Sequence, residues 1–271
     1  MGRPEPRRWT DLGVTRWLVI ALGLVAAWQA IVWGSGAPHY ILPAPGRVAR
    51  AWVEHLPLLG QHALVTAAEI GAGLVLGVVL GAGSALVIGH RPVTRRWLLP
   101  VLIASQAIPV FALAPVLVLW LGYGMGSKVA MATMIIFFPV TAAFLDGLQR
   151  TEPGWVDLAR TMTFRRGPDG TPGEDRLAIL RHVRVPAALP SLASGIRVAT
   201  AVAPIGAVVG EWVGSSAGLG YLMLHANARL QIDLMFAALL TLALIAVTLW
   251  FCVDGALRRL LPWQPDALSR P

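Results

Sequence analysis

The chain has 271 residues, 56% of them hydrophobic and 13% charged, with a mean hydropathy of +0.66. A soluble domain carries about 25% charged residues, so the composition excludes an ordinary soluble enzyme or binding module and points to lipid. The net charge of +8 rests on 22 basic residues, all arginine except Lys128, and the single cysteine, Cys252, excludes an internal disulfide.

A membrane-crossing helix needs about 20 apolar residues. Six stretches qualify, at about 17–34, 63–89, 97–121, 128–147, 191–213 and 236–257. The expected fold is all-α: a polytopic membrane protein of six transmembrane helices, with a cytoplasmic helix between the fourth and the fifth. Residues 1–16 are a tail, 17–261 one transmembrane domain, and 262–271 a second tail. Arg7, Arg8 and Arg16 ahead of the first run also suit a signal peptide, but that run is long and no small-x-small cleavage pattern follows it.

With the N-terminus placed in the cytoplasm, seventeen basic residues fall on the inner side and four on the outer: Arg47, Arg50, Lys128 and Arg229. Arg197 falls within a span. Such a bias is the positive-inside pattern. It accounts for the net charge without a nucleic-acid partner and puts both termini in the cytoplasm.

The second span repeats small residues at every fourth position: Gly73, Gly77, Gly81, Ala85 and Gly89. Such a stripe lets helices approach closely in lipid, where apolar burial supplies no driving force. No Walker-type phosphate loop is present, so the chain is expected to bind no ATP by that route. The third span holds Pro100, Pro109 and Pro115, which predict kinks. Gln106, three residues before Pro109, is either a pore-lining amide or an interhelical hydrogen-bonding group.

Charges at membrane depth are costly and mark functional candidates. Glu69 lies within the second span and is expected to be neutral or paired with Arg197. Glu211, near the outer end of the fifth span, is expected at the interface with Trp212 as an aromatic anchor. Glu69, Gln106, Pro109, Arg197 and Glu211 are the substrate-path candidates. His225 stands alone in the last outer loop, and no metal-ligand spacing or catalytic triad emerges. No catalytic residue, metal or cofactor is expected.

The stretch at about 152–186 is the most distinctive soluble one. Pro153 suits a first helical turn, and Asp157 suits the N-terminal half of a helix. Val156, Leu158, Ala159 and Met162 give an apolar patch, with Arg160 projecting elsewhere. Residues 166–175 are dense in Gly, Pro and charge and read as loop. Pro186 and Pro190 then set the return into the fifth span. A short helix with an apolar patch and no soluble domain of its own needs a partner to pack on.

The segment from Val156-Asp157-Leu158-Ala159-Arg160-Thr161-Met162 to Pro186-Ala187-Ala188-Leu189-Pro190 resembles the cytoplasmic coupling loop of bacterial ABC-importer permeases. Asp157 stands at the acidic position and Leu158-Ala159 at the alanine pair. Thr163 replaces the usual glycine, and about ten residues from Arg166 to Asp175 look inserted. Leu42-Pro43-Ala44-Pro45, Trp120 to Lys128, Phe137-Phe138-Pro139 and Glu211-Trp212 with Gly218-Leu219-Gly220-Tyr221 are similar to the subfamily importing nitrate, sulfonates, taurine and pyrimidine precursors of thiamine.

The resemblance implies an inner-membrane permease that works as a pair. Its partners would be two ATP-binding subunits, which bind the ATP, and an external substrate-binding protein. Asp157, Leu158, Ala159, Arg160 and Met162 would couple to the ATPase. Phe144 to Leu148 and Leu222 to Arg229 look most like permeases for hydroxymethylpyrimidine-type precursors. Nitrate, sulfonate or taurine is the alternative substrate class. The alternative mechanism is an ion-coupled secondary transporter with Glu69 as its proton site. No inverted repeat, which often marks such transporters, is visible.

Overall fold

The computed structural model describes residues 9–90, 92–105, 108–162, 164–166, 172–174 and 176–263. Five helices are long and apolar enough to cross a membrane: α1 (Trp9–Ser35), α3 (Leu56–His90), α6 (Met125–Gln149), α9 (Val185–Gly214) and α11 (Ile232–Leu260). The short helix α2 (Pro45–Glu54) lies between α1 and α3. It starts at Pro45, whose missing N–H costs nothing in a first turn.

Between α3 and α6 the chain forms α4 (Pro92–Ser105), a 3₁₀ turn (Val110–Leu113) and α5 (Ala114–Leu121), with an 88° bend between the two halves. The single kinked span expected over 97–121 is thus a broken one. Pro109 caps the 3₁₀ turn and Pro115 occupies the first turn of α5. Both rings sit where a helix begins, because neither can continue one.

Helix direction shows that this broken piece crosses the bundle. Gly73, Gly77 and Gly89 of α3 meet Ala132, Ile136 and Leu148 of α6 in the same order, so the two helices run parallel. The segment between them therefore starts at one end and finishes at the other. Gly195 and Gly206 of α9 meet Ala143 and Ala132 in reverse order, so α9 runs antiparallel to α6. Among the described residues the chain thus has five spanning helices, and six crossings with the broken pair counted as one.

The glycine stripe is what lets α3 seat on α6. A Cβ added at Gly73 would lie 2.5 Å from that of Ala132, and one at Gly77 would lie 2.5 Å from Ile136 Cγ2. In lipid such close backbone approach replaces the hydrophobic effect as the source of packing energy. Three apolar clusters follow along the bundle. Val48, Leu59, Leu219 and Ala237 fill one end, Ile70, Ile136, Val140 and Ala203 the middle, and Ile88, Phe144, Leu148 and Ala188 the other end. Helix α1 is peripheral and touches the bundle through Trp28, stacked on Phe236 at 5.9 Å.

The segment at about 152–186, expected to couple to the ATPase, projects from the end that holds Ile88 and Leu148. Helix α7 (Pro153–Met162) is followed by strands β1 (Phe164–Arg166) and β2 (Pro172–Glu174), which pair antiparallel with Phe164 opposite Glu174. Residues 166–175, expected as plain loop, thus include part of a backbone ladder. Helix α8 (Arg176–Ile179) leads through a π turn (Leu180–Arg184) into α9 without a break. The fifth span therefore starts well before Pro186. That proline lacks the N–H for the preceding turn, and a π turn just upstream relieves the mismatch of its ring with the helix.

Candidate functional site

The half of the bundle where α6 begins holds a buried polar cluster drawn from four helices. Glu69 of α3 is fully buried, and the ammonium of Lys128, in the first turn of α6, lies 3.0 Å from its Oε1. The Lys128 side chain is 7% exposed. The contact is close enough for an ion pair but poorly aligned: neither Glu69 oxygen has a hydrogen-bond partner among the described residues. The Glu211 carboxyl adjoins Glu69 from α9. A second acidic group thus stands beside the Glu69–Lys128 contact in a medium of low dielectric, where an unbalanced charge is expensive.

Glu211 has a second task. Its Oε1 accepts from Thr66 Oγ1 at 2.6 Å, and its Oε2 accepts from the backbone N–H groups of Gly220 and Tyr221 at 2.5 and 3.2 Å. Those N–H groups open helix α10 (Leu219–Ala228), and Thr66 Oγ1 accepts a third from Leu219 at 2.8 Å. The first N–H groups of a helix have no partner within it, and an anion there also meets the favourable end of the helix dipole. Gly218 completes the turn. Its φ of +117° favours glycine, and a Cβ there would fall 2.2 Å from Glu211 Cδ. The separate sequence pieces Glu211-Trp212 and Gly218-Leu219-Gly220-Tyr221 are therefore one capping device. Glu211 is 1% exposed, so the interfacial position expected for it is corrected.

The Gly218 N–H donates to His62 Nδ1 at 2.9 Å. The His62 ring stacks on Tyr221 at 6.0 Å, and Tyr221 lies 4.0 Å from His225. His225, alone in sequence, thus ends a ladder of three rings beside the buried cluster.

The expected Glu69–Arg197 pair does not form. Arg197 Nε donates to Asp254 Oδ1 of α11 at 2.7 Å, and Asp254 also accepts from Arg258 at 2.8 Å. Along α9, fourteen residues separate Arg197 from Glu211, a rise of about 21 Å. Arg197 therefore sits in the half of the bundle away from Glu69. Gln106 lies outside the described residues. Pro109 is exposed at the start of the 3₁₀ turn.

Helix α7 divides its apolar residues between two faces. Val156 and Ala159 are buried against Ile179 and Val183. Leu158 and Met162 point the other way, 57% and 78% exposed, beside Trp155 at 63%. The apolar patch expected as one surface is thus two: one anchors the helix to its own chain, and one is left open. Asp157 and Arg160 pair across one turn at 3.0 Å and are both exposed.

Lys128, Thr66, His62, Asp254 and Tyr221 were missed as site residues. Two signals were available. Lys128 is the one lysine of an otherwise arginine-only chain, and His62, Thr66 and Glu69 recur at i, i+4 and i+7 on one face of α3.

Residues 73–264 match the family described as binding-protein-dependent transport system inner membrane component. A protein named probable ABC transporter permease protein, from Haemophilus influenzae, is 53% identical over 90% of this chain and 96% of its own length. The riboflavin transport system permease protein RibX of Chloroflexus aurantiacus is 39% identical, over 93% of this chain and 90% of its own. The formylaminopyrimidine transport permease protein ThiX of Halalkalibacterium halodurans is 34% identical, over 90% and 93%. A chain of the MetNI methionine ABC transporter, in an inward-facing conformation, shares the fold with a TM-score of 0.63 over 76% of this chain and 97% of that one, at 19% identity. The chain belongs to the binding-protein-dependent transport system inner membrane component family, and it is a multi-pass membrane subunit of the ABC-importer permease kind, a transporter part and not an enzyme.

Proposed function

We propose that this permease carries a small planar nitrogen heterocycle of the pyrimidine class, with a pyrimidine precursor of thiamine as the first candidate. The observation that carries this reading is the likeness to ThiX and RibX, named for formylaminopyrimidine and riboflavin. Both solutes contain a pyrimidine-type ring. The ring ladder of His62, Tyr221 and His225 supports it, because flat rings stack favourably on one another. Sulfonates, taurine or nitrate would call for converging cations near the path. Lys128 is already engaged by Glu69, and Arg197 by Asp254.

In this reading both termini face the cytoplasm, as the arginine distribution favours. Tail 1–16, transmembrane domain 17–261 and tail 262–271 make up the chain. Two copies pair in the inner membrane, and each rests its α7 on an ATP-binding subunit that holds the ATP. Closure of the motor pulls the α7 helices together. Because α7 is anchored to α8 by Val156 and Ala159, and α8 continues into α9, that pull reaches the fifth span through an unbroken helix. An external binding protein delivers the solute to the outer end, and the spans alternate access.

The test is a thermal-shift screen of the partner binding protein. Stabilisation by aminopyrimidines or riboflavin is expected, and stabilisation by sulfonates alone would overturn the substrate class. A second reading, ion-coupled transport, is favoured only by the buried carboxylates at Glu69 and Glu211. Uptake into vesicles that needs internal ATP and survives a protonophore would dismiss it.

A further inference from the structure

The end of the bundle that carries α7 contains a cavity of about 550 Å³ between the end of α3, α4, the end of α6, α7 and the π turn. Among the described residues its wall carries His90, Arg95, Arg96, Arg160 and Arg184 and no aspartate or glutamate. Arg160 is held by Asp157. Arg184 Nε and His90 Nδ1 are buried and have no hydrogen-bond partner among the described residues. A buried polar group left without a partner is costly, so two such atoms in one basic hollow call for a ligand rich in acceptor oxygens.

A second cavity of about 420 Å³ adjoins the first, because Ile88 lines both. It runs between α3 and α4 along Leu80, Gly83, Val87, Leu98 and Leu102, and its one polar side chain is Ser84. The two hollows follow continuous helix faces. Arg95 precedes Leu98 and Leu102 by three and seven residues on α4, and Ile88 follows Ser84 and Leu80 by four and eight on α3. A small free anion would use the basic hollow alone. An amphiphile with an anionic head would use both.

We propose that the paired cavities form a binding site for an anionic phospholipid. Its phosphate would lie among Arg95, Arg184 and His90, and an acyl chain would lie in the groove between α3 and α4. Basic hollows between spans at the cytoplasmic surface suit such headgroups. The headgroup would tie the α3–α4 corner to the π turn beside α7, making the seat of the coupling helix dependent on the inner leaflet. The leaflet, though not the lipid class, rests on the orientation proposed above.

The experiment is native mass spectrometry of the full permease with its ATPase, given phosphatidylglycerol or phosphatidylcholine. Preferential retention of phosphatidylglycerol is expected. Arg95→Gln, at an exposed position, is expected to lower that retention about fivefold, and Arg184→Gln to do the same. Gly83→Phe, where a Cβ meets open space, is expected to block the groove and lower it as well. Equal retention of the two lipids would overturn the site. So would displacement by millimolar inorganic phosphate together with indifference to Gly83→Phe, which marks a soluble anion. Separation of two permease copies by Gly83→Phe would assign the groove to a subunit interface and would also overturn it. Cysteine labelling that puts residue 95 outside the cell would sink the orientation and leave the lipid result standing.

Discussion

Lys128 meets Glu69 across the α3–α6 contact at 3.0 Å, with both side chains buried, in a chain that has no other lysine. Removing one partner of a buried pair strands the other charge, at a cost of about 3–5 kcal/mol. Lys128→Met should therefore lower the melting temperature of the detergent-solubilised protein sharply. The double change Lys128→Met with Glu69→Leu should recover much of the loss. Equal melting of wild type and the Lys128→Met variant would show that the pair does not form.

Arg197 and Glu69 should be energetically independent. Changes at separated sites add to within about 0.3–0.5 kcal/mol, whereas residues in contact couple more strongly. A double-mutant cycle on Arg197→Gln and Asp254→Asn should show coupling, and one on Arg197→Gln and Glu69→Gln should show none. Strong coupling in the second cycle would restore the pairing that the sequence suggested.

The cap on α10 predicts a local failure. Thr66→Val removes the hydroxyl that serves both Glu211 and the Leu219 N–H, leaving buried groups unpaired at about 1–3 kcal/mol each. Gly218→Ala combines an unfavourable φ with a clash on Glu211. Both should raise proteolysis around residues 215–228 before the rest of the bundle opens. Wild-type protease resistance in Gly218→Ala would contradict the turn geometry.

The two faces of α7 should separate in their effects. Leu158→Asp and Met162→Asp change exposed positions and should leave melting unchanged while reducing stimulation of the partner ATPase at least about tenfold, as for loss of a central interface anchor. Ala159→Asp should lower stability and coupling together, because a carboxylate would be forced against Ile179. Normal ATPase stimulation by the Leu158→Asp variant would remove α7 from the docking surface.

Much of this protein is fixed locally, and local properties were legible. The spans follow from runs of apolar residues long enough for a bilayer. The stripe Gly73, Gly77, Gly81 announces a close helix contact before the partner helix is known. Motif order from Leu42 to Tyr221 was enough to mark the family resemblance. Broken backbone at Pro109 was legible in kind, although the bend turned out far sharper than a kink.

The partners of the buried charges were decided by tertiary structure alone. Glu69 had two cations to choose from, and sequence distance gives no weight to either. The choice fell to Lys128 because α3 and α6 run parallel with Gly73 opposite Ala132, which sets Lys128, four residues before Ala132, level with Glu69, four residues before Gly73. The same register leaves Arg197 about 21 Å down α9, next to Asp254. Glu211 looked interfacial because it ends a span; the loop that folds back from Gly214 to Gly218 buries it under α10. Which half of the α7 patch faces outward depended on where α8 lies. Periodicity tells that a helix has an apolar face, but only the packed neighbour tells which residues on it are already taken.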